Sequence, residues 1–204
     1  MKQKADKILY IHGAGGSAAE AEHFRPLFPG RDVAGLAYSG STPWEAGQQL
    51  HEAVTKLVAG CGRAILIANS IGAFFAMHAE IEAYVARAFF ISPVVDMEKL
   101  IADRMGRAGI TEPELRKRGV IPTGFGEDLS WEYLCYVRAH PARWSVPTEI
   151  LYGGADALTS RDAVTAFAGA HHAGLTIMEE GEHWFHTPEQ MRFLDRWITD
   201  KLAQ

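Results

Sequence analysis

The chain has 204 residues, of which 48% are apolar and 22% charged, and its formal net charge is −5. That length supports one well-buried core and is short for two, so a single domain is expected. An acidic balance repels a phosphate backbone and argues against a nucleic-acid partner. No segment approaches the roughly 20 apolar residues needed to span a bilayer. The longest candidate, Ala64 to Ala79, is interrupted by Asn69, Ser70 and His78.

In chain order, Lys2, Lys4 and Lys7 lead only into the short run Ile8-Leu9-Tyr10-Ile11. A secretory leader needs a longer apolar stretch, so a cytoplasmic location is expected. Lys7–Ile11 is the first of six segments that read as buried strands. The others are Asp32–Ala37, Ala64–Ala68, Ala88–Ile91, Glu149–Tyr152 and, less clearly patterned, Leu175–Glu179. Helical patterns fall between them, and their starts carry capping chemistry. Ser17-Ala-Ala-Glu20, Thr42-Pro-Trp-Glu45, Thr111-Glu-Pro-Glu114 and Thr187-Pro-Glu-Gln190 all have the form Ser/Thr-x-x-Glu/Gln. After Thr42 the apolar face is Leu50, Val54, Leu57 and Val58; after Thr187 it is Met191, Leu194, Trp197, Ile198 and Leu202.

Strand–helix–strand alternation implies an α/β fold, with a mostly parallel sheet of about six strands and helices on both faces. The stretch from Asp96 to Val146 breaks the alternation. It holds no convincing strand and a helix after Ser130, and is expected to be a helical cap insertion over approximately residues 96–146. In parallel sheets ligands bind beyond the carboxyl ends of the strands, so the residues just after each strand are where chemistry is sought.

After the third strand comes Ala68-Asn69-Ser70-Ile71-Gly72, a strand–turn–helix segment. Small residues two before and two after a serine let the backbone fold sharply and lift the hydroxyl above the sheet, as in a nucleophile elbow. The alternative is a serine that merely caps a helix. After the first strand comes His12-Gly13-Ala14-Gly15-Gly16. Its glycines let backbone N–H groups face a site, and the N–H groups of Ala14 and Ile71 are the candidate oxyanion donors. The loop lacks the Gly-Lys-Ser/Thr of a P-loop and the full Gly-x-Gly-x-x-Gly spacing, so nucleotide binding is the weaker reading.

The fifth strand runs into Gly153-Gly154-Ala155-Asp156, and the sixth into Gly181-Glu182-His183. Asp156 is the candidate acid that accepts the imidazole N–H, and His183 the candidate general base. Asp96, after the fourth strand, is the rival acid and His186 the rival base. Asp162 falls inside a predicted helix, His78 on an apolar face, and His171 with His172 at the surface. Phe125, Trp131, Tyr133, Tyr136, Trp144, Trp184 and Phe185 either line an apolar pocket or belong to the core; Trp131, Tyr133 and Trp184 are the substrate-contact candidates. Cys61 and Cys135 have no metal or redox spacing and are expected to be reduced core thiols. No metal or cofactor is expected.

These residues resemble the α/β-hydrolase superfamily over nearly the whole chain. His12-Gly13 matches its oxyanion loop, Ala68-x-Ser70-x-Gly72 its elbow with alanine for the first glycine, Gly153-x-x-Asp156 its acid loop and Gly181-x-His183 its histidine loop. The order Ser, Asp, His is the order that fold uses. The chain looks like the small, compact bacterial members. The resemblance implies a serine hydrolase with Ser70, Asp156 and His183 as triad, cleaving a carboxylic ester of a small-molecule acyl substrate through an acyl-enzyme. Thioester hydrolysis, acyl transfer and peptide cleavage use the same residues, and a non-hydrolytic small-ligand receptor on this fold stays open.

Overall fold

The computed structural model describes residues 7–60, 62–124 and 128–203. Lys2, Lys4, Cys61 and Phe125 lie outside the described residues. In chain order the elements are β1 (Lys7–Ile11), a 3-10 turn (Ala18–Glu20) running into α1 (Ala21–Phe24), β2 (Asp32–Leu36), α2 (Pro43–Val58), β3 (Ala64–Asn69) and α3 (Ile71–Met77). They continue with β4 (Val85–Ile91), α4 (Met97–Ala108), α5 (Glu112–Arg118), β5 (Val120–Ile121), β6 (Leu129–Ser130) and α6 (Trp131–Ala139). Last come β7 (Thr148–Gly153), α7 (Arg161–Ala170), β8 (Gly174–Met178) and α8 (Pro188–Leu202). The chain divides into two compact units, Met1–Val95 with Arg143–Gln204, and Asp96–Ala142.

The first unit is built on a six-stranded sheet in the order β2-β1-β3-β4-β7-β8. Every pairing is parallel, in keeping with the α/β reading. On one face Ile8, Tyr10, Ile65, Ile67, Phe89, Ile91 and Leu151 pack with Phe24 of α1 and Leu194, Trp197 and Ile198 of α8. The alternate residues turn the other way, where the Ile11 side chain meets α3 at Gly72. Both faces are covered, which is why the inner strands read as unbroken apolar runs. Leu9, Ile11, Leu66, Ala68 and Phe90 are fully shielded. Each such large side chain contributes about 1.5–3 kcal/mol by leaving water.

Strand β4 begins at Val85, three residues before the sequence pattern places it. Arg87 hides the start: its guanidinium lies 5.1 Å over the Phe89 ring and 3.5 Å from a Glu149 oxygen, so a charged residue sits half-buried in the ladder. Strand β8 is half-buried along its whole length because it is a sheet edge, and its pattern is correspondingly weak.

The caps vary. Glu20 Oε1 accepts the Ser17 N–H at 2.9 Å, as a capping box requires. Thr42 and Thr187 each accept the expected backbone N–H, from Glu45 at 3.4 Å and from Gln190 at 3.2 Å. The return bonds differ: Glu45 accepts the Thr42 hydroxyl at 2.9 Å, and Gln190 accepts the His186 N–H at 3.2 Å. Thr111 makes no side-chain cap bond, contrary to expectation, although α5 starts at the next residue.

The second unit holds α4, α5 and α6 and the antiparallel pair β5–β6, with Val120 opposite Ser130 and Ile121 opposite Leu129. No strand was expected there. A two-residue ladder is too short to leave a readable alternation. Arg138 of α6 bonds Glu98 of α4 at 2.7 Å and both carboxylate oxygens of Glu112 of α5 at 2.9 Å. Cys135 is exposed, which corrects its expected place in a core; α6 buries Leu134 and Val137 instead. Among the described residues no helix is long and apolar enough to cross a membrane.

Candidate active site

Ser70 stands between β3 and α3 with φ 54° and ψ −122°, a backbone region costly for any residue with a Cβ. Neighbouring strands hold it there. Its N–H donates to the Ile91 carbonyl at 2.9 Å, and its own carbonyl accepts from Ala73 at 3.2 Å and Val94 at 3.1 Å. The hydroxyl makes no cap bond to α3. Gly72 is required two residues on, because a Cβ there would collide with the His12 and Ile11 carbonyls. Ala68 serves at the other small position, fully buried within β3.

The glycine loop lies against this elbow. A Cβ on Gly13 would stand 3.2 Å from the Ser70 Cβ. The loop turns back through a bond from the Gly16 N–H to the Gly13 carbonyl at 3.1 Å. No acceptor among the described residues takes the N–H of Ala14 or Ile71. Tyr38 fixes the start of the loop: its hydroxyl donates to the His12 carbonyl at 2.8 Å, and its ring stacks on the His12 imidazole at 4.3 Å.

Acid and histidine loops are joined by backbone bonds. Gly154 N–H donates to the Met178 carbonyl at 2.8 Å and Ala155 N–H to the Gly181 carbonyl at 2.9 Å. Asp156 is thereby fixed beneath His183, and its side chain is fully shielded. Its Oδ1 accepts the N–H groups of Leu158 at 2.7 Å and Thr159 at 3.0 Å. Its Oδ2 accepts the Thr159 hydroxyl at 2.8 Å and stands 2.7 Å from His183 Nδ1. Burial alone would raise the Asp156 pKa. The hydrogen bond and charge of His183 and the two backbone N–H groups outweigh it, so the carboxyl is held below its usual value. His183 Nε2 lies 2.8 Å from Ser70 Oγ. With Nδ1 facing a carboxylate, the ring proton belongs on Nδ1 and the Nε2 lone pair faces the serine hydroxyl.

The structure therefore brings Ser70, His183 and Asp156 into one hydrogen-bonded line, with Gly13 at its serine end. The rivals lie elsewhere. Asp96 caps α4 by accepting the Lys99 N–H at 2.9 Å. His186 is exposed, with Nδ1 2.8 Å from the Trp184 carbonyl. Asp162 sits in the first turn of α7. His78 bonds back to the Phe74 carbonyl at 2.9 Å, and His171 is half-buried, with Nδ1 2.8 Å from the Trp144 carbonyl.

Of the aromatic candidates, Trp184 is 65% exposed. Trp131 and Tyr133 are half-buried on α6, in the second unit. Trp144 is core: its indole N–H donates to Thr148 Oγ1 at 2.8 Å and its ring packs on Phe90. Phe185 is buried with the α8 cluster. It also borders a cavity of about 160 Å³ in the first unit, with Tyr10, Phe24, Asn69, Ile91 and Leu194. Thr159 and Tyr38 went unnoticed in the sequence. The Asp156-x-x-Thr159 spacing could have revealed the first, since it is a side-chain-to-backbone turn pattern; Tyr38 left no signal of that kind. Among the described residues no group of three or more His, Cys, Asp or Glu could hold a metal ion.

The family model described as "Alpha/beta hydrolase family" matches residues 8–196. Among solved structures, the chain is similar to Est1E from Butyrivibrio proteoclasticus, at 14% identity and a TM-score of 0.75, covering 98% of this chain and 88% of that one. It is similar to alpha/beta hydrolase domain-containing protein 10 from mouse, at 17% identity and a TM-score of 0.69, covering 100% of this chain and 92% of that one. A thermophilic esterase from Thermogutta terrifontis, its structure described as malate bound, matches at 15% identity and a TM-score of 0.60, covering 97% of this chain and 89% of that one. At these identities the structures speak for the fold. No curated protein matches the sequence. With the family model spanning nearly the whole chain and the sheet, elbow and loop order agreeing with it, the protein belongs to the α/β-hydrolase family.

Proposed function

We propose that the protein is a serine hydrolase that cleaves a carboxylic ester of a small acyl substrate through an acyl-enzyme on Ser70. The observation that carries this reading is the line Ser70 Oγ, His183 Nε2, His183 Nδ1, Asp156 Oδ2, with contacts of 2.8 and 2.7 Å. Ser70 Oγ attacks the ester carbonyl carbon as His183 Nε2 takes the hydroxyl proton. The carbonyl oxygen becomes an oxyanion, which the N–H groups of Ile71 and Ala14 stabilise. His183 returns the proton to the leaving alcohol as the ester C–O bond breaks. Water then adds to the acyl-enzyme, giving a proton to His183, which passes it back to Ser70 Oγ as the acid departs. Throughout, Asp156 keeps the imidazole in the tautomer whose Nε2 is free, and stabilises the imidazolium.

This chemistry calls for no metal or cofactor, no nucleic acid and no membrane. A cytoplasmic location belongs to the same proposal. A panel of p-nitrophenyl esters of rising acyl length tests it. Turnover that depends on chain length is expected. No turnover across the panel, together with tight binding of a small ligand, would instead mark a receptor.

A further inference from the structure

Two side chains with no part in proton transfer, Glu20 and Tyr10, brace the two ends of the glycine loop. Glu20 closes the turn behind the loop, where its Oε1 accepts the Ser17 N–H at 2.9 Å. The same oxygen sits so close to Gly16 that a Cβ there would come within 2.6 Å of it. Glu20 Oε2 accepts the Tyr10 hydroxyl, also at 2.6 Å. Tyr10 is 2% exposed and stands on β1 two residues before His12. Asn69, one residue before Ser70, lines the same cavity as Tyr10 and Glu20. Asn69 Oδ1 is buried with no hydrogen-bond partner among the described residues. Burial, then the Glu20 hydrogen bond, push the Tyr10 phenol far above its usual pKa, so it stays a donor at any working pH.

A capping box explains only the bond to Ser17. It does not explain the second carboxylate oxygen reaching a buried tyrosine on the adjoining strand. We propose that Glu20 is a positioning residue for the oxyanion hole. Through Ser17 it holds the loop that carries Ala14. Through Tyr10 it holds the end of β1, which leads into that loop and pairs with β3 beneath the elbow that carries Ser70 and Ile71. One carboxylate thus braces the loop at both ends and sets where its Ala14 donor stands relative to the elbow. The inference rests on Ser70 being the nucleophile. Oxyanion donors act over a narrow range of distance, and a misplacement of about 1 Å can cost roughly 100-fold in rate.

The test compares Tyr10→Phe, Glu20→Gln and Glu20→Ala with the wild type. It reads kcat and KM on p-nitrophenyl acetate, labelling of Ser70 by a fluorophosphonate, and the thermal midpoint. Tyr10→Phe and Glu20→Ala are expected to lose roughly 10–100-fold in kcat, with KM within about two-fold of wild type. Glu20→Gln keeps an acceptor for Ser17 and a polar partner for Tyr10, and is expected to lose less than about ten-fold. Lower thermal midpoints with kcat per folded molecule unchanged would overturn the proposal, since Glu20 would then only cap a turn. Tyr10→Phe changes neither the carboxylate nor the turn, so it decides the matter even if Glu20→Ala fails to fold. If the wild type is labelled at Ser70 and the variants keep full kcat, this proposal alone falls. If the wild type is not labelled at Ser70, the nucleophile assignment falls and takes the proposal with it.

Discussion

Ser70→Ala is expected to lower ester turnover roughly a million-fold, about 8 kcal/mol of transition-state stabilisation. The substitution is clean in this structure. The hydroxyl makes no cap bond to α3, so its loss removes no helix-terminal hydrogen bond. Alanine keeps the Cβ, so the backbone strain at φ 54° is the same in both proteins. The bonds from Ile91, Ala73 and Val94 to residue 70 are all main-chain and survive. Thermal midpoints should therefore agree while kcat collapses. A variant that kept more than about 1% of wild-type kcat would assign the attack to another group.

Asp156→Asn is expected to lower kcat roughly 10³–10⁴-fold near neutral pH. The reason lies in how the carboxylate is held. Its Oδ1 position receives two backbone N–H groups, from Leu158 and Thr159, and only an oxygen fits there. An asparagine must therefore turn its NH₂ toward His183 Nδ1. That nitrogen then has to accept, the ring proton moves to Nε2, and Nε2 can no longer take the Ser70 proton. Stability should follow pH as well. The folded-state pKa of Asp156 lies below the unfolded value of about 3.9, so the folded state favours the charged form. Its stabilising contribution is complete above the unfolded pKa and is lost as pH falls through the folded one. Thermal unfolding from about pH 6 down to about pH 2 should show the midpoint gap between wild type and Asp156→Asn closing below about pH 4. A gap that stayed constant would mean that the carboxylate adds nothing pH-dependent to the fold.

The sheet was legible in the sequence because its inner strands are buried on both faces. Runs such as Ala64-Ile-Leu-Ile-Ala68 leave no room for a solvent-facing residue, and Gly, Pro and polar residues mark their ends. Where a charge enters the ladder, as at Arg87, the pattern misplaces the strand start, because burial there is compensated by Phe89 and Glu149 rather than avoided. The pair β5–β6 was invisible because two residues carry no period. The line of Ser70, Asp156 and His183 was legible because each residue follows a strand end and each loop carries glycine where chains approach closely. The supporting contacts were not. Tyr38 reaches the His12 carbonyl from the end of β2, and Tyr10 reaches Glu20 across a turn. Such links depend on which strands lie side by side, and local spacing does not encode that. The aromatic candidates divided for a similar reason: Trp144 finds a hydroxyl partner in Thr148 and joins the core, whereas Trp184 stays exposed.

The claim on which the mechanism stands is that the oxygen lifted by the turn after β3 is the atom that becomes acylated. Mass spectrometry of the protein after reaction with a fluorophosphonate locates that atom directly. A single adduct on the peptide containing Ser70, formed in step with loss of esterase activity, is the predicted result. An adduct on a different residue, or full inactivation with Ser70 unmodified, would contradict it.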